Sequence, residues 1–189
     1  MATKASLFLF FVMPILLLVI FSSTPVWEVL NRCLNLGEEK MVFYVQEAAN
    51  GANATVSIAG GKNSASSSVS TFGTIFVIDN PITEGLANTT KILGRLQGVE
   101  ANSALNGTNF HLGASLLFEN GGTLEIQGII KTQVAQRELS VVGGTGKFRY
   151  AQGFVSVEIV ASDRINLTFK FTVTIRSHLP IFKQLFGGL

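Results

Sequence analysis

The 189-residue sequence has one cysteine, two histidines and few charges, Asp, Glu, Lys and Arg together making up 14% of it. Each scarcity closes a class of function. With Cys33 alone, no internal disulfide and no cysteine-based metal cluster can form, so Cys33 is either idle or intermolecular. His111 and His178 are isolated, and a lone histidine is more often a strand or tail residue than a ligand, so no metal is expected. There is no G-x-S-x-G, no H-E-x-x-H and no Cys/His spacing that recommends a hydrolase. The net charge of +2 is spread along the chain without a cationic patch, so nucleic acid is not an expected partner.

The longest apolar run lies at the start. Leu7 to Phe21 is preceded by Lys4 and followed by Ser22, Ser23 and Thr24, the order of a secretion signal, and it is short for a span of about 20 apolar residues. Residues 1–24 are therefore expected to be a signal peptide, with cleavage between about Ser22 and Trp27; an uncleaved anchor is the alternative, since Pro25 sits beside that site. Removing the segment takes away Lys4 and leaves 13 basic against 12 acidic residues, a net +1. An extracellular protein with no membrane attachment after cleavage follows. Asn53, Asn88, Asn106 and Asn166 each open an N-x-[ST] acceptor in segments that read as loops or strand ends, which suits glycosylation.

Residues 25–40 read as an N-terminal arm, 41–177 as the folded domain and 178–189 as a short tail with Lys183 mid-run, a docking or disordered end. Met41 to Ala48 is a strand with Phe43, Val45 and Glu47 on one face, a carboxylate ending an apolar row. Gly60 to Ser70 is a polar loop. Phe72 to Asp79 is a strand apolar on both faces, ended by Asn80-Pro81. Leu93 to Ser103 follows, then a hairpin over Asn109 to Ile130. A three-residue loop at Asn120-Gly121-Gly122 is expected to set Phe118 opposite Leu124, Leu116 opposite Ile126 and Leu112 opposite Ile130, because a two-residue turn would place apolar beside polar. Phe154 to Val160 and the alternating Leu167 to Ile175 complete the set. No stretch after the signal has a convincing helical period. The pattern is all-β, sandwich or barrel.

Arg137 to Gly153, R-E-L-S-V-V-G-G-T-G-K-F-R-Y-A-Q-G, joins a strand, a glycine turn reversing between Val142 and Phe148, and a second strand. It is not a phosphate cradle: Lys147 is followed by Phe148 rather than Ser or Thr, the glycine spacing is wrong, and strand rather than helix follows. The segment resembles plant dirigent proteins, as do Phe72 to Gly85 (F-G-T-I-F-V-I-D-N-P-I-T-E-G), Gly94 to Gly98 (G-R-L-Q-G) and Thr123 to Gly128 (T-L-E-I-Q-G), all in the family's order over roughly Met41 to Ile175.

The resemblance implies an eight-stranded antiparallel β-barrel, similar in shape to allene oxide cyclase, that forms a homo-oligomer, dimer or trimer, and uses no cofactor. It implies an apoplastic auxiliary protein that does no oxidation. A separate oxidase, laccase or peroxidase, makes phenoxy radicals from a monolignol such as coniferyl alcohol, and the barrel orients them for stereoselective coupling in lignan or phenylpropanoid formation and plant defence. Carried over residue by residue, Gln46 and Glu47 stand where the family has a His-Asp pair, Glu100 where it has a tyrosine and Ile130 where it has an aspartate, while its arginine is kept as Arg137. Glu47 and Arg137 are thus the candidate catalytic residues, facing one barrel mouth, with Phe43, Val45, Glu100, Leu112, Phe118 and Ile130 as candidate substrate contacts. For Glu47 the bland alternative is a solvated rim carboxylate, and for Arg137 an ion pair with Glu138 or a strand-end charge. Loss of the aspartate and tyrosine departs from pinoresinol-type coupling. The chain also departs from members that tie an N-terminal to a C-terminal cysteine. Two other roles fit the residues: a lyase-like or cyclase-like enzyme working through a quinone methide, and a wall protein that organises lignin.

Overall fold

The computed structural model describes residues 38–60, 70–163 and 166–176. The expected signal, most of the arm, Cys33, His178, the tail and residues 61–69 of the polar loop lie outside them. Alternating side chains build nine strands: β1 (Glu38–Ala48), β2 (Val56–Gly60), β3 (Ile75–Thr83), β4 (Ile92–Asn102), β5 (Asn109–Phe118), β6 (Thr123–Lys131), β7 (Gln136–Gly144), β8 (Gln152–Ser162) and β9 (Asn166–Arg176). β1 begins at Glu38, inside the expected arm, because Glu38, Glu39 and Lys40 already pair with Arg176, Ile175 and Thr174 of β9.

All pairings are antiparallel, in the order β1-β9-β8-β7-β6-β5-β4-β3-β2, and β1 closes the ring by pairing Tyr44 with Thr83 and Val45 with Ile82. β2 pairs only with β3, along the part of that edge β1 does not reach, so the closed barrel has eight strands. Closure removes the free edges that an open sheet would expose. One face of every ring strand then fills the interior: Phe43 and Val45 of β1, Ile78 and Ile82 of β3, Leu96 of β4, Leu116 of β5, Ile126 of β6, Val141 of β7, Val155 of β8 and Val173 of β9 are all buried. Each such side chain contributes about 1.5–3 kcal/mol by leaving water.

Three local expectations are corrected. β5 and β6 pair Leu117 with Thr123 and Leu116 with Leu124, so the three-residue loop is Glu119-Asn120-Gly121 and the expected register is off by two. Gly121, at φ 87°, donates its N–H to the Phe118 carbonyl at 3.0 Å, and Phe118 donates to the Gly122 carbonyl at 3.3 Å. A shift of two keeps the faces, pairing Ala114 with Ile126 and Phe110 with Ile130; hydrophobic parity sets the face, and the first left-handed glycine sets which register of that parity is used.

Asn80-Pro81 does not end β3, which runs on to Thr83. Asp79 donates its N–H to the Thr55 carbonyl at 2.8 Å, and the Pro81 nitrogen, two residues on, faces the same side, where β2 has ended and β1 pairing starts only at Ile82. The missing donor falls in a gap between two strands. The glycine turn, for its part, is wider than expected: β7 reaches Gly144, a 3-10 turn spans Gly146–Phe148, and β8 starts at Gln152. Phe148 is drawn inward to close this end of the barrel, its ring 5.3 Å from that of Phe118, and so cannot begin a strand.

Close packing explains a glycine of the G-R-L-Q-G stretch. A Cβ on Gly94 would sit 1.9 Å from the Leu117 carbonyl oxygen of β5, whereas one on Gly113 meets nothing within 4 Å. Gly94→Ala is expected to destabilise the barrel by at least about 1–3 kcal/mol, because backbone must shift. Gly113→Ala is expected to leave the denaturation midpoint within error, and urea titration of the two variants side by side checks both.

Candidate functional site

The barrel mouth lies where β1, β4, β6 and β8 end and β3, β5, β7 and β9 begin, as their registers require. The inward face of β1 that buries Phe43 and Val45 carries Glu47 to this rim. On β3 the same alternation continues inward from Phe76 and Ile78 to Asn80, which is 1% exposed. The Asn80 Nδ2 donates a 3.2 Å hydrogen bond to Glu47 Oε2. Burial pushes the Glu47 carboxyl above its ordinary 4.5, and the Asn80 bond, favouring the ionised form, pulls it partly back.

Glu100 comes from β4, opposite Phe76, and lines the same cavity as Glu47 and Asn80. Its carboxyl is pushed up to about 7, first by burial and then by the negative charge of Glu47, against the pull of the Arg137 guanidinium. Arg137 enters from β7, on the inward face two residues before the buried Leu139. Its Nε donates to the Lys131 carbonyl at 2.9 Å, and its buried Nη1 has no partner among the described residues. Glu47, Glu100 and Arg137 thus meet at one mouth, and the described residues show no ion pair between Arg137 and Glu138.

Leu112 and Ile130 stand among the apolar walls, together with Ile78, Leu96, Phe169 and Phe171. The cavity proper is narrow, ≈ 40 Å³, within ≈ 360 Å³ of empty space out to solvent. Apolar walls with a few polar groups are the usual make-up of a small-molecule site.

Three expected contacts are elsewhere. Val45 is wholly enclosed in the core, and Phe43 and Phe118 line a second cavity of ≈ 400 Å³ at the opposite end, with Phe148, Lys91 and Lys147. Phe43 meets Phe118 edge-on at 5.8 Å and stacks on Phe171 at 5.9 Å, so it supports the mouth only through Phe171. Distance along the strand decides this: β5 descends from Leu112 at the mouth, and the six residues to Phe118 cover about 20 Å. Asn80 is the polar residue the sequence reading missed. Carrying the alternation of Phe76 and Ile78 through Pro81 places it inside the barrel.

Asn53, Asn88, Asn106 and Asn166 are all exposed, the first three in turns and Asn166 at the start of β9. Among the described residues no group of His, Cys, Asp and Glu is placed to hold a metal ion.

Comparison with known proteins agrees with this architecture. Pterocarpan synthase 1 of Glycyrrhiza echinata is 27% identical, over 86% of this chain and 91% of its own. Dirigent protein 15 of Arabidopsis thaliana is 35% identical over 65% of this chain and 72% of its own; Dirigent protein 25 of the same plant is 39% identical, but the match spans only 23% of that longer protein. A solved pterocarpan synthase dirigent protein superposes with a TM-score of 0.68 at 23% identity, covering 76% of this chain and 88% of the other, which shows the shared fold. The family model described as dirigent-like protein matches residues 38–176, from the first residue of β1 to the last of β9, and the chain belongs to the plant dirigent family.

Proposed function

We propose that this dirigent protein binds a phenolic substrate at the barrel mouth and steers ring closure of its quinone methide, Glu47 and Glu100 handling the proton. The observation that carries this reading is the pair of carboxyl groups in one apolar cavity, one of them poised near 7. Two neighbouring carboxylates do not both ionise readily, so near neutrality the pair retains one proton. The protonated member donates to the quinone methide oxygen, a hydroxyl of the same molecule attacks the methide carbon, and the ionised member takes the hydroxyl proton. One C–O bond forms, the ring regains aromaticity, and no electrons are gained or lost. The reading is supported by similarity to a protein named pterocarpan synthase.

The apolar walls favour a second reading, orientation of phenoxy radicals supplied by a separate laccase or peroxidase, in which coupling needs geometry and no acid. Two incubations separate them, each followed by chiral chromatography. Stereoselective conversion, without oxidant, of a quinone methide or of a phenol whose benzylic hydroxyl leaves as water to give one supports the first. An enantiomeric excess that appears only when a monolignol is oxidised by added laccase supports the second.

Arg137→Ala is expected to weaken ligand binding about 10-fold or more, since a charge-assisted hydrogen bond is lost. It is also expected to raise the Glu100 midpoint further, because the guanidinium lowers it. Calorimetric titration with the ligand checks the first, and carboxyl NMR the second.

Secretion to the apoplast, glycosylation and self-association belong to the same proposal. The outer faces of β3 and β4 support the last: Ile75 and Val77 are 39% and 46% exposed, and Val99, paired with Val77, is 47% exposed, an apolar strip suited to a second copy. Light scattering of the purified protein reads the oligomeric state, a monomer counting against it. Mass spectrometry of secreted chain reads cleavage and glycans, an intact Met1 counting against secretion.

A further inference from the structure

Asn80 is the one fully buried amide in the mouth cavity, and only half of it is used. Its Nδ2 holds Glu47, whereas its Oδ1 has no partner among the described residues. An amide beside a carboxyl has two useful orientations of nearly the same shape. With the carboxyl ionised, Nδ2 donates to it. With the carboxyl protonated, the amide turned over offers Oδ1 to the acid O–H. We propose that Asn80 is a positioning residue that follows the proton on Glu47, holding the carboxyl in one place in both of its states. Neither a leucine, which bonds neither state, nor an aspartate, which repels the ionised one, can do this.

The role deepens the acid reading above. It gives Glu47 a fixed direction toward the cavity whether it is about to give or to take a proton, so the geometry does not relax between the two halves of a reaction. The other charges facing Glu47 are Glu100 on β4 and, through it, Arg137 on β7. β3 holds the amide from below: Asn80 pairs with Leu96 of β4, and Ile82 and Ile78 on either side along the inner face are buried.

The test needs no substrate. In the folded wild-type protein the Asn80 side-chain amide resonances are expected to move with pH at the same midpoint as the Glu47 carboxyl carbon, and to lose that movement in Glu47→Gln. In Asn80→Leu both bonds are lost, and the Glu47 midpoint is expected to rise, because the charge-assisted bond to the ionised carboxylate is the stronger of the two. Asn80→Ser, which keeps a small donor and acceptor, is expected to return part of that rise and serves if the leucine variant does not fold. An Asn80 amide that is silent through the Glu47 titration, or a Glu47 midpoint unmoved by either replacement, overturns the proposal. Because these readings come from resonances rather than product, a protein that turns out to guide radicals without acid chemistry would refute the functional reading and leave this one decided by its own data.

Discussion

Glu47→Gln is expected to bind ligand as the wild-type protein does and to form product roughly 10²–10⁴-fold more slowly, the range attributed to a positioned acid or base. Glutamine keeps the shape of the side chain and still accepts the hydrogen bond from Asn80 Nδ2, so fold and cavity are retained. What it loses is the exchangeable proton. The substitution also removes the negative charge that helps hold Glu100 near 7, so the Glu100 midpoint should fall. Rate and product ratio are read without oxidant on a phenol whose benzylic hydroxyl leaves as water to give the quinone methide, and ligand affinity by calorimetry. A variant with the wild-type rate would return Glu47 to the role of a solvated rim carboxylate and shift the proposal to radical guidance.

The second large effect is on stability and concerns Glu100. Its folded carboxyl titrates near 7 against an ordinary 4.5, so between those values the folded protein retains a proton that the unfolded chain has released. Stability therefore falls as pH rises through that window and is level above it. Integrated, the ionised and buried carboxylate destabilises the barrel by at most about 3 kcal/mol at pH 8 and by nothing at pH 4. Glu100→Gln is accordingly expected to raise the thermal midpoint by roughly 5–10 °C at pH 8 and to leave it nearly unchanged at pH 4. Equal shifts at both pH values would show that the gain comes from packing and that the carboxyl is not poised as described.

How far the chain could be read beforehand depends on the kind of information each residue carries. The β7–β8 segment and β9 show their faces in the sequence: Leu139 and Val141, Val155 and Val157, Phe171, Val173 and Ile175 are buried as alternation requires. The same rule put Glu47 on the inner face of β1. It fails at Asn80, where proline reads as a stop although it sits harmlessly between β2 and β1, and at Phe43 and Phe118, which are inward-facing but line the opposite end. Alternation has period two, so it reports which side of the sheet a residue faces and is blind to height along the barrel axis.

The sequence by itself therefore determined the all-β class, the faces of the strands and, through four ordered motif blocks, the family and its closed eight-stranded barrel. The family resemblance already placed Glu47 and Arg137 at one mouth; only the tertiary structure decided that Asn80 joins them and Glu100 there, that Phe43 and Phe118 lie at the other end, and that the hairpin register differs by two. Those are properties of stagger between strands far apart in the chain. Residues 47, 80, 100 and 137 lie on four different strands, and their meeting depends on how each ladder is shifted against the next, which no local pattern encodes.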